Sequence, residues 1–118
     1  SRQGQLTLTK LGVYMKPEGK VKDAIKKLLK NYGIYYFMPR GSTFGRQGVA
    51  DFVCCINGKF LSIEAKADSH SKQTAMQKYD ESLVRNAGGT YIVVHKDNLS
   101  ELESVLSYAK TERQNSSV

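Results

Sequence analysis

No run of the sequence approaches the roughly 20 apolar residues that a membrane-crossing helix needs, so a bilayer-spanning role is not expected. The opening residues, SRQGQLTLTK, lack the basic-then-apolar layout of a secretory leader. Cysteine is scarce, and the two present, Cys54 and Cys55, are neighbours in an apolar run. Adjacent strand residues point to opposite faces, which excludes a simple disulfide between them and a two-thiolate metal clamp. Both therefore read as buried free thiols of a reducing compartment, and the expected location is the cytoplasm, associated with the nucleoid. There is no internal repeat, and 118 residues leave no room for a second domain of ordinary size.

What is present suits one compact domain with one core, since 40% of the residues are hydrophobic. Eighteen Lys and Arg against eleven Asp and Glu leave a formal charge of +7. In so small a domain that surplus points to a polyanionic partner. The basic segments lack the bulky apolar face of an interfacial helix, so a membrane surface fits less well.

Lys16-Pro17-Glu18 reads as a helix entry, because proline and an acid both suit the first turn. Val21, Ala24, Ile25, Leu28, Leu29 and Tyr32 continue as a helical stripe that Gly33 ends. Ile34 to Met38 reads as a strand, and the glycine- and arginine-bearing run PRGSTFGRQG as an exposed loop. Val49 to Ile56 and Lys59 to Lys66 read as strands of a hairpin turning at Asn57-Gly58, the strongest short hairpin signal. A polar loop leads to a second helix from about Gln73 to Ala87, then a strand from Thr90 to His95. Asn98 or Ser100 is placed to cap a last helix carrying Leu102, Val105, Leu106 and Ala109. The expected fold class is α/β: a mixed four-stranded sheet flanked by helices, in the order helix, three strands, helix, strand, C-terminal helix. The domain spans residues 17–110, and the polar tail 111–118 is expected to be disordered. Residues 1–16 form an arm whose LTLT run alternates like a strand; an edge strand, a dimer arm and an artificially appended remnant all remain open.

The hairpin turn fixes a register in which Asp51 lies opposite Glu64, with Cβ atoms about 4.5–5.5 Å apart. Lys66, two residues beyond Glu64, projects from the same face. Two facing carboxylates between Phe52, Val53, Ile63 and Ala65 repel each other unless something neutralises them. A hard divalent cation, magnesium or manganese, would do so. A buried Asp–Lys–Glu network without chemistry is the plainer alternative. Glu18 sits on the core-facing line of the first helix, and Gln77 borders the stripe of the second. Taken alone, they read as an ordinary helix-end acid and an ordinary rim glutamine.

These residues carry a family resemblance. The run GRQGVADFVCCINGKFLSIEAKA, with PEGKVKDAIKKLL before it and TAMQKYDESLVRNAGGTYIVV after, resembles a virus-type replication-repair nuclease (VRR-NUC) domain. That family lies in the PD-(D/E)XK nuclease superfamily, of restriction-endonuclease-like fold. The resemblance spans about Pro17 to Val94 and rests on three pieces. These are the G-V-x-D segment ending at Asp51, the Glu64-Ala65-Lys66 triplet 13 residues on, and the glutamine-bearing helix. Ala50 stands where the superfamily name has proline.

The resemblance implies that Asp51 and Glu64 hold a catalytic Mg2+ or Mn2+ with the carbonyl of Ala65, and that Lys66 orients or activates the attacking water. It makes Glu18 the first-helix acid completing the metal environment and Gln77 the glutamine supporting the site. It further implies a structure-selective DNA endonuclease acting on branched DNA, with a homodimeric Holliday-junction resolvase of DNA repair as the leading form. An inactive nucleic-acid-binding module or a flap or duplex nuclease are the alternatives. Arg40, Arg46, Lys20 and Lys22 are the candidate DNA contacts, with Gly41, Gly45 and Gly48 allowing close approach of backbone to phosphate. Tyr35, Tyr36, Phe37 and Phe44 are expected to pack in the core or loop, and His70 and His95 receive no role.

Overall fold

The structure, a computed structural model, describes residues 7–8, 14–40 and 46–116, and side chains in 15–40 and 46–113. Gly41, Phe44 and Gly45 of the expected loop lie outside the described residues. In the arm, β1 (Thr7–Leu8) pairs antiparallel with β2 (Tyr14–Met15), so part of the LTLT run is indeed strand, in a two-stranded sheet of its own.

Helix α1 runs Pro17–Asn31 with Pro17 in its first turn. Val21, Ile25 and Leu29, spaced four apart, turn one side of it into the core. Strands β3 (Tyr35–Phe37), β4 (Phe52–Ile56) and β5 (Lys59–Ala65) follow, then α2 (Ala75–Asn86), β6 (Thr90–Val94) and α3 (Leu99–Ser116). The main sheet has the order β3-β4-β5-β6. The first two pairings are antiparallel and the last is parallel. A parallel pair needs a crossover connection, and α2 supplies it. The α/β class and the element order are those the sequence indicates.

The β4–β5 register is also the expected one, from Phe52 opposite Ile63 to Ile56 opposite Lys59. Asn57 and Gly58 both have positive φ, 54° and 74°, as the tight two-residue turn requires. The Asn57 side-chain amide donates to the Ala109 carbonyl at 2.9 Å, tying the turn to α3.

One face of the sheet carries the core. Phe52, Cys54, Ile56, Leu61, Ile63, Ala65 and Val94 meet α1, and Leu102 and Leu106 of α3 join them. The opposite face is polar where α2 approaches it, and among the described residues Tyr35, Phe37 and Cys55 stand exposed on it. That asymmetry corrects two expectations. Tyr36 packs on Phe52 with ring centroids 5.9 Å apart, but Tyr35 and Phe37 alternate outward and are 70% and 50% exposed. Edge strand β3 is covered on one side only, so aromatic content there does not mean burial. Likewise Cys54 is buried and Cys55 exposed, each a free thiol, so the paired-burial reading fails for Cys55.

The C-terminal helix extends through residues 111–116, where a disordered tail was expected. Those residues add no apolar anchor, and the helix simply propagates from the docked turns at Leu102 and Leu106. Among the described residues no helix is long and apolar enough to cross a membrane.

Candidate active site

Alternation along β5 sends Leu61, Ile63 and Ala65 to the core and leaves Ser62, Glu64 and, just past the strand, Lys66 on the α2 face. Glu64 is fully buried. Its Oε1 accepts a 2.6 Å hydrogen bond from the Tyr91 hydroxyl of β6. Its Oε2 has no hydrogen-bond partner and lies 3.6 Å from the Lys66 ammonium. A buried carboxylate left in this condition costs several kcal/mol unless further positive charge arrives.

Lys66 is itself held. Its Nζ donates to Gln77 Oε1 at 2.9 Å. The same oxygen accepts from the Thr74 backbone N–H at 2.8 Å, and the Gln77 N–H donates back to the Thr74 hydroxyl at 3.1 Å. Thr74 and Gln77 thus form a capping box at the start of α2. Gln77 is at once a helix cap and the acceptor that fixes the Lys66 ammonium, which explains why the chain needs a carbonyl oxygen here.

Asp51 sits in a bend one residue before β4, at the position where the register brings it beside Glu64. Its Oδ2 accepts a 2.7 Å hydrogen bond from the Ala65 N–H. Its Oδ1 lies 3.5 Å from the ammonium of Lys22, which is also 3.5 Å from Glu18 Oε2. Lys22, expected among the DNA contacts, therefore stands between two of the expected metal-binding acids. Glu18 is not buried as its place on the stripe suggested; at the open end of α1 its side chain is 46% exposed. Arg40 and Lys20 are exposed, whereas Arg46 is ion-paired to Asp80 of α2.

Burial pushes the Tyr91 hydroxyl well above its ordinary pKa, and the hydrogen bond and charge of Glu64 and the charge of Asp80 add to it. Tyr91 is therefore a permanent donor toward Glu64. Tyr91 and Asp80 escaped the sequence reading. Asp80 was detectable as an acid on the sheet-facing line Gln73, Gln77, Asp80, Val84, and the Thr74-x-x-Gln77 spacing as a capping box. Nothing local marks Tyr91, whose role depends on the parallel pairing of Ser62 with Tyr91. His70 and His95 serve their own loops. The His70 N–H bonds Asp68, and His95 Nδ1 accepts from the Asp97 N–H.

Among the described residues no three His, Cys, Asp or Glu side chains converge into a ready-made metal cage. The donor set nevertheless fits magnesium or manganese. Such an ion keeps several waters and takes only one or two carboxylates from the protein. The unpartnered Glu64 Oε2, with Asp51 beside it, offers hard oxygen of that kind.

The comparison with solved structures decides the fold. A VRR_NUC domain structure superimposes with a TM-score of 0.63 over 73% of this chain and 92% of its own length, at 23% identity. This is the VRR_NUC fold. No family model matches the sequence, and neither does any curated protein. The VRR_NUC resemblance read from the Asp51, Glu64-Ala65-Lys66 and Gln77 segments thus meets a three-dimensional likeness over nearly the whole of that other domain.

Proposed function

We propose that this VRR_NUC-fold chain is a metal-dependent, structure-selective DNA endonuclease that hydrolyses phosphodiester bonds in branched DNA. Its substrate in this reading is the four-way (Holliday) junction, and its working form a homodimer. The observation that carries the reading is the buried Glu64, one oxygen donated to by Tyr91 and the other unpartnered, beside a lysine fixed by Gln77. A carboxylate buried in this condition supports the reading of a cation site.

In this mechanism Asp51 and Glu64, with the Ala65 carbonyl, would hold Mg2+ or Mn2+, and Glu18 would complete the surroundings. Such an ion would supply Lewis acidity and lower the pKa of a nearby water. Lys66, 3.6 Å from Glu64, orients the attacking water and offsets charge growing on the phosphoryl oxygens. Gln77 keeps the Lys66 ammonium from swinging away. The exposed Lys20 and Arg40, with the lysines of α1, supply the charge that attracts the phosphate backbone.

Symmetric cutting of a junction requires two sites related by a two-fold axis. A surface this reading offers to a second copy carries the exposed Tyr35, Phe37 and Phe60 of the sheet together with the exposed Met76, Tyr79 and Leu83 of α2. Those six side chains carry no formal charge in a chain of +7, so this face suits a protein partner better than phosphate. Light scattering of wild type and Phe60→Lys tests it, with a dimer expected for the first and a monomer for the second.

The decisive experiment incubates wild type and Lys66→Ala with four-way junction, flap and linear duplex in Mg2+ and in Mn2+. Junction cleavage is expected for wild type, with a rate about 100-fold lower in the variant, about 2.7 kcal/mol, and junction binding retained. Equal cutting of all three substrates refutes structure selectivity, and full activity in Lys66→Ala refutes the mechanism. One observation favours a second reading, a nucleic-acid-binding module without cleavage. The Lys22 ammonium already occupies the space between Glu18 and Asp51. Salt-sensitive junction binding with no cleavage in either metal would establish it.

A further inference from the structure

Asp51 lies one residue outside the β4–β5 ladder, where it accepts from the Ala65 N–H, while residues 46–50 leading to it form no strand. The segment leading to it touches α2 at two points. Gly48 has φ +82°, and a Cβ built there would fall 2.5 Å from the Met76 carbonyl carbon, so backbone packs directly on the first turn of α2. Two residues earlier, the Arg46 guanidinium pairs with Asp80 Oδ1. Asp80 is 2% exposed, and its Oδ2 has no hydrogen-bond partner. A charge so buried is worth keeping only if its partner stays in place.

The α2 helix carries the other half of the site. Gln77 on it fixes Lys66, and Asp80 adds its charge to the environment of Tyr91, the donor to Glu64. The helix is thus attached both to the Asp51 segment and to the groups around Glu64. Arg46 was expected to face DNA; half exposed, its guanidinium also pairs with a buried acid.

We propose that Arg46 and Asp80 are positioning residues whose ion pair, with Gly48 seated on α2, clasps the 46–51 segment so that Asp51 is set opposite Glu64. This rests on the nuclease reading above. The consequence is specific: loosening the clasp separates the two carboxylates that share the cation, so metal affinity falls while DNA affinity does not. A DNA-contact role for Arg46 predicts the reverse, a weaker hold on DNA with a shallower salt dependence.

The test uses the full chain as wild type, Arg46→Gln, Arg46→Lys, Asp80→Asn and the Arg46→Gln/Asp80→Asn double variant, each checked for folding by circular dichroism. Arg46 is half exposed, so its substitution opens no cavity in the core. Isothermal titration with Mn2+ alone is run beside cleavage at varied Mn2+ and varied junction concentration. Arg46→Gln and Asp80→Asn are each expected to weaken Mn2+ binding about tenfold and raise the Mn2+ needed for half-maximal cleavage equally. Saturating metal should restore kcat, KM for DNA should stay fixed, the double variant should be no worse than either single one, and Arg46→Lys should recover most of the loss. Unchanged Mn2+ binding in the variants, or a raised KM in Arg46→Gln with Asp80→Asn unaffected, overturns the clasp. Wild type that binds Mn2+ without cleaving overturns only the nuclease reading, because the titration still measures the clasp. Wild type that neither binds Mn2+ nor cleaves overturns both.

Discussion

Replacing Tyr91 with phenylalanine deletes one oxygen and leaves the ring in place, so no cavity of consequence opens. What is lost is the 2.6 Å hydrogen bond to Glu64 Oε1. Since Oε2 already lacks a hydrogen-bond partner, the buried carboxylate keeps only the Lys66 ammonium at 3.6 Å. A hydrogen bond to a charged group contributes about 1.5–3 kcal/mol, and its loss inside the protein falls at the upper part of that range. A destabilisation of about 2–3 kcal/mol is expected, which for a domain of this size lowers Tm by about 8–12 °C. Thermal unfolding followed by circular dichroism in a chelating buffer measures it. Repeating the melt in Mn2+ then tests the site, because a ligand at 100 times its Kd stabilises by about 2.7 kcal/mol. A cation at Glu64 replaces the missing donor, so the gap between variant and wild type should close to less than about 1 kcal/mol. A variant that melts within about 2 °C of wild type without metal refutes the energetic argument. A gap of the same size with and without Mn2+ refutes the idea that Glu64 awaits a cation.

The two functions of Gln77 are separable. Thr74→Ala removes the cap alone and should cost about 1 kcal/mol of stability with cleavage little changed, whereas Gln77→Ala should lose both stability and most of the rate. Circular dichroism and cleavage of the same samples distinguish them. The thiols should differ as their burial does: Ellman's reagent should titrate Cys55 alone in the native chain and both in denaturant. Burial pushes the Cys54 thiol up to about 12 from 9.0. The folded state therefore holds that proton more tightly than the unfolded one. The contribution is complete below pH 9.0 and erodes as pH rises toward about 12, which Cys54→Ala should abolish in pH-dependent melts. Leu106→Ala, at a fully buried site where α3 meets the core, should cost about 2–5 kcal/mol by urea denaturation.

Much of the fold was written locally. The spacing of Val21, Ile25 and Leu29, the Asn57-Gly58 turn and the alternation along β5 each depend on neighbours a few residues away, so elements and hairpin register could be read directly. The placement of Lys66 on the Glu64 face follows from the same alternation, as do the opposite faces of Cys54 and Cys55, but not the exposure of Cys55. Only the tertiary structure decided which face of β3 stays bare, because Tyr35 and Tyr36 are alike in composition and differ in what packs against them. It also decided that Tyr91 donates to Glu64, that Lys22 stands between Glu18 and Asp51, and that Arg46 turns inward to Asp80. Each of those contacts except the helical Lys22–Glu18 pair joins residues far apart in the chain. A buried charge is tolerated only through partners that the folded chain brings to it, and one strand or helix alone does not name them.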